Sequence, residues 1–165
     1  MNNRSNWVAC VVAWTGLACV MLLGCQSIVA EPLVEPAVAP MVHPVIEAGR
    51  QFNLVKYGKE DQGLSMVAEL HARNMALRTH QDHNGFEHRA TTIFGITGLQ
   101  EASEICAESW PGQTMEEAAA DCWKCWRQSP SHWKTANGKP ALYGVAMSQG
   151  RNGIWYVCIV AAWKK

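Results

Sequence analysis

The sequence predicts an α/β fold, a three-layer α/β/α sandwich around a small, mainly antiparallel sheet. Three observations predict it. Residues 154–163 read as a strand that is apolar on both faces, because Ile154, Tyr156, Cys158 and Val160 alternate with Trp155, Val157, Ile159 and Ala161. Such a strand needs cover above and below. Residues 141–147 read as a second strand, and the Gly- and Asn-rich connection at 148–153 suits a hairpin. Upstream, residues 61–78 and 115–129 carry helical apolar periodicity, and such helices supply the outer layers.

Before the domain, residues 1–24 read as a lipoprotein signal peptide. Arg4 precedes an apolar run over residues 7–23 that closes on Leu22, Leu23, Gly24 and Cys25, the order of a charged start, an apolar core and a small-residue cleavage box. Gly24 lets a signal peptidase approach the backbone, and the Cys25 thiol would take a diacylglyceryl group. An uncleaved membrane anchor is the alternative, for which the run is at the short limit. Both readings place the rest of the chain outside the cytoplasm, as an exported, membrane-anchored lipoprotein facing the periplasm or the cell surface. Residues 25–45 are rich in Ala, Val and Pro, with Pro32, Pro36, Pro40 and Pro44 at every fourth position. Proline at that density favours extended polyproline geometry, at about 3.1 Å per residue, and the stretch reads as a tether.

The folded domain is expected over residues 46–165, with one short helix before Gly58. In the helix at 61–78, Leu64, Val67, Ala68, His71 and Met75 share one face. Residues 79–98, with His80, His83, His88 and Asn84-Gly85, read mostly as loop. A short segment at 101–108 leads to a turn at Pro111-Gly112. Thr114 followed by Glu117 is a capping box, so the next helix begins near Met115, presents Met115, Ala119, Cys122 and Trp126 on one face, and stops before Pro130.

The 14 basic and 14 acidic residues balance, which points to no nucleic-acid partner. Of seven cysteines, Cys10 and Cys19 leave with the signal and Cys25 takes lipid. Cys106, Cys122, Cys125 and Cys158 remain, an even set that suits two disulfides in an oxidising compartment. Cys122-Trp123-Lys124-Cys125 lacks the following histidine of a haem attachment, the second cysteine pair of a zinc ribbon, and the helix N-terminal position of a thioredoxin-like pair. The expectation is that Cys122 or Cys125 pairs with Cys106 or Cys158.

Three pieces, in order, resemble the CAP superfamily of cysteine-rich secretory and pathogenesis-related proteins, in its bacterial form. They are Leu64, Ala68, His71-Ala72 and Met75; then Glu104-Ile105; then Trp126 with Ser129-Pro130-Ser131-His132, followed by Gly144-Val145-Ala146. The resemblance spans residues 61–162. Many members carry a second glutamate where this chain has Ser129.

The resemblance implies a cleft shared by His71, Glu104 and His132. Two imidazoles and a carboxylate can hold a divalent metal such as zinc, with water in the open position. Of the loop histidines, His83 is the one expected to approach that cleft; a separate site at His80, His83 and His88 is the weaker reading. Trp110, Trp123, Trp126 and Trp133 could wall an apolar ligand, and Trp126 is expected in the core. The resemblance thus implies a tethered domain of unassigned activity that binds a small apolar or lipid ligand or a divalent metal. The alternatives are a metal-dependent hydrolase using His71, Glu104 and His132, or a structural or adhesive envelope protein.

Overall fold

In the computed structural model, residues 42–164 are described. Cys25 and most of the proline-rich stretch lie outside them. The elements run α1 (Pro44–Gly49), α2 (Asn53–Tyr57), β1 (Lys59–Glu60), α3 (Gln62–Arg78), α4 (Phe86–Thr97), β2 (Glu101–Glu108), α5 (Met115–Gln128), α6 (Pro130–Ala136), β3 (Leu142–Gln149) and β4 (Trp155–Trp163). The sheet order is β1-β3-β4-β2. Its three longer strands are antiparallel, and only the two-residue β1 joins in parallel.

Strand β4 lies inside the sheet and is buried on both faces, so alternation sorts its side chains into two cores. Val157, Ile159 and Ala161 pack with Ile105, Val145, Trp123 and Trp126 beneath α5. Tyr156, Cys158, Val160 and Ala162 pack with Leu64, Ala68, Met75 and Ile93 beneath α3 and α4. The three-layer sandwich expected from the two-faced strand is therefore present.

The two long helices are set by local chemistry. Asp61 caps α3, its carboxylate accepting the Leu64 N–H at 3.0 Å. Thr114 and Glu117 form the capping box of α5. Helix α3 lies directly on β3 because Gly144 has no side chain: a Cβ there would overlap the backbone of Leu64 and Ser65. Trp126 and Trp123 are both core, and their indole N–H groups donate to Cys106 C=O and Val45 C=O. Trp110 is exposed.

Several boundaries differ from expectation. The domain starts before residue 46, since Pro44 opens α1 and Val45 is buried in the α5-side core. Proline suits the first turn of a helix, where its missing N–H has no intrahelical partner to lose. Two short helices, not one, precede Gly58. Pro130 ends α5 and also opens α6 in the same way. The largest difference is α4, in a segment expected as loop. It buries only Ile93 and carries five β-branched residues, so neither periodicity nor propensity announces it. Its Thr91, Thr92 and Thr97 hydroxyls bond back to carbonyls four residues earlier, and Gly85 and Gly98 close its ends with positive φ.

The expected disulfides of Cys122 or Cys125 with Cys106 or Cys158 are absent: all four thiols are free. Cys122 lies in the α5-side core, whereas Cys106 and Cys158 lie in the α3-side core. The sheet stands between them. Among the described residues no helix is long and apolar enough to cross a membrane.

Candidate functional site

The site is built around Glu104 of edge strand β2. Parity turns its side chain toward the α3 layer, where it is 1% exposed. A carboxylate so buried needs compensation, and α4 provides it. Arg89 Nε donates to Glu104 Oε2 at 2.6 Å and Arg89 Nη2 to Oε1 at 2.7 Å, a fork-to-fork pair. His83 Nδ1 donates to Oε1 at 2.9 Å. Both carboxylate oxygens are thus engaged.

The segment between α3 and α4 positions His83. Helix α3 ends at Thr79 in the left-handed conformation (φ 54°), Arg78 pairs with the Asp82 carboxylate, and Asp82 accepts from Asn84 N–H at 3.0 Å. Arg89 Nη1 donates to Asn84 C=O at 2.7 Å and ties the same segment to α4. Inside this turn, His71 Nε2 lies 2.9 Å from the Asp82 carbonyl. A carbonyl only accepts, so the proton is on Nε2 and the 3.3 Å approach of Arg89 Nη2 to it is a packing contact. His71 Nδ1 then carries a lone pair that is buried and has no hydrogen-bond partner.

Charges follow from these contacts. Burial pushes the Glu104 carboxyl up, but the hydrogen bonds from His83 and Arg89 outweigh it and hold its pKa at about 2. Hydrogen bonding to Cys106 and then to Glu104 raises His83 to about 10, so it is an imidazolium at neutral pH. Burial lowers His71, which stays neutral. His132, in α6, is lowered by burial and by the charge of His83. Its Nε2 faces His83 Nε2 at 3.5 Å. A chain of four groups therefore runs from half-buried Arg89 and buried Glu104 through the exposed His83 to half-buried His132.

Of the residues named from the sequence, His71 and Glu104 come together at 3.7 Å, while His132 reaches them only through His83. His80 and His88 are exposed. Arg89 is a member of the site that sequence reasoning misses. No apolar pattern marks it, and its partner is fifteen residues away in another element.

No family model and no curated protein matches the chain. Among solved structures it is similar to an outer surface protein from Borrelia burgdorferi, with a TM-score of 0.56 and 18% identity over 73% of this chain and 87% of that one. At that identity the likeness is one of fold.

Proposed function

We propose that the chain is an exported, lipid-tethered domain of the CAP type whose His-Glu cleft binds a divalent cation such as zinc. The observation that carries this reading is the facing pair His83 Nε2 and His132 Nε2, 3.5 Å apart. Two nitrogens bound to one tetrahedral zinc ion at about 2.0–2.1 Å stand about 3.4 Å from each other. Glu104 is then the orienting carboxylate: it accepts the His83 Nδ1 proton and leaves Nε2 facing His132, as in a carboxylate–histidine–metal arrangement. Arg89 keeps Glu104 out of the ligand set, and His71 supports the turn that carries His83. The cation displaces a proton from His83, so affinity rises with pH. Export rests on the signal and Cys25, and the likeness in fold to an outer surface protein supports it.

Zinc titration by calorimetry tests the site. One ion per chain is expected, with binding lost in His83→Ala and His132→Ala and weakened about 10- to 100-fold in Glu104→Gln. No uptake by the native chain would end this reading. Loss of membrane association in Cys25→Ser tests the tether separately.

A second reading concerns the apolar ligand. A hollow of about 690 Å³ between α1, α5 and β3 is lined by Val42, Pro44, Ala48, Met115 and Met147, with His43, Glu47 and Glu116 also on its wall, and it includes none of His71, His83, Glu104 and His132. A fatty-acid probe whose binding survives His83→Ala but not Met147→Arg would locate a lipid there.

A further inference from the structure

Cys106 of β2 and Cys158 of β4 are direct partners in the sheet register. The hydrogen-bond parity of the ladders determines how they face. Ser109 N–H donates to Trp155 C=O, and Gly150 N–H to Ile154 C=O. Stepping in twos from these bonds, Cys158 directs its own amide groups toward Ala146 on β3, and its pairing with Cys106 is of the non-hydrogen-bonded type. In that type opposite Cα atoms stand about 4.5 Å apart, at the near end of the span of about 4.4–6.8 Å that a disulfide bridges. Both side chains leave the α3 face of the sheet and are sealed there, at 2% and 0% exposure. Cys122 sits on the other face and Cys125 is exposed, so among the described cysteines Cys106 and Cys158 are each other's partner by register.

We propose that Cys106 and Cys158 are a redox pair that closes to a cross-strand disulfide when a small disulfide oxidant is present. One thiolate attacks the oxidant RSSR, forms a mixed disulfide and releases RS⁻, which takes up a proton. The facing thiolate then displaces the second RS⁻. Two protein thiols thereby lose two protons and two electrons, and RSSR becomes two RSH. The neighbouring Cys158 thiol, and then burial, hold Cys106 firmly protonated, so the closed domain reacts slowly. Local release of edge strand β2 gives access. Cys158 Sγ lies 3.9 Å from Glu104 Oε2, so closing the bond removes a thiol donor from the floor of the His-Glu cluster. The short span makes the bond a reversible one, since strained bridges are the more easily reduced.

The test is to treat the full chain with oxidised glutathione, both folded and during refolding from urea, then alkylate it under denaturing conditions and map the peptides by mass spectrometry. The expected product is a peptide pair joined through Cys106 and Cys158, with two fewer alkylated thiols, restored by dithiothreitol. The Cys122→Ser/Cys125→Ser double variant should give the same product. Linkage of Cys106 or Cys158 to Cys122 or Cys125 would overturn the proposal. So would complete alkylation of Cys106 and Cys158 in both the folded and refolded samples.

Discussion

Arg89 grips Glu104 with two N–H donors at 2.6 and 2.7 Å, joining a helix that is mostly exposed to the most deeply buried carboxylate in the described structure. Truncating the arginine removes two of the charged donors on that carboxylate and leaves His83 as its one cationic partner. Arg89→Met is therefore expected to destabilise the domain by about 3–5 kcal/mol, read as a lower urea midpoint. The double variant Arg89→Met/Glu104→Met should recover most of the loss, because it removes the stranded charge as well.

Acid stability carries the mark of the same pair. Glu104 titrates at about 2 in the folded chain against an ordinary 4.5, so between these values the unfolded chain binds more protons. Stability should rise with pH across that window and fall as pH drops from about 4.5 toward about 2. Asp82, held at about 2 chiefly by its hydrogen bond from Arg78, adds to the slope from a more exposed position. Glu104→Gln should flatten the pH profile of thermal midpoints more than Asp82→Asn does; equal profiles would refute the assignment.

His83 has the opposite sign. Its folded pKa is raised to about 10, so its contribution is complete below about 6.5 and declines as pH climbs through about 10. In NMR, the His83 ring should remain protonated at pH 8. Glu104→Gln should bring its titration down toward the ordinary range.

Gly144→Ala places a methyl group against the Leu64 and Ser65 backbone. Helix α3 must move off the sheet, and a loss of at least about 3 kcal/mol is expected, at the upper end of overpacking effects. By contrast Thr114→Ala removes one side of the α5 capping box and should cost about 1 kcal/mol. Paired denaturation curves would rank the two.

These positions also show what the sequence makes legible. Helices α3 and α5 declare themselves through buried residues at spacings of three and four, and α5 through a capping box that survives in detail. Strand β4 declares the layer number, because only a strand covered twice can be apolar on both faces. Helix α4 is hidden because it buries one residue and is tied to the rest of the domain through Arg89 rather than through an apolar face. With α4 unseen, Arg89 has no address. The cysteine pairing is hidden for another reason: each strand's alternation is readable, but which face meets which helix is a tertiary fact. That fact puts Cys122 across the sheet from Cys106.

Among the described strands β2 has one neighbour in the sheet, β4, which comes after it in the chain, with Glu104 opposite Val160. In the order of synthesis, His71, His83, Arg89, Glu104 and His132 all emerge before the strand that seats Glu104. Until residues 155–163 arrive, the carboxylate is free to remain hydrated and the cluster has no floor. The His-Glu cluster is thus complete only once β4 has docked beside β2.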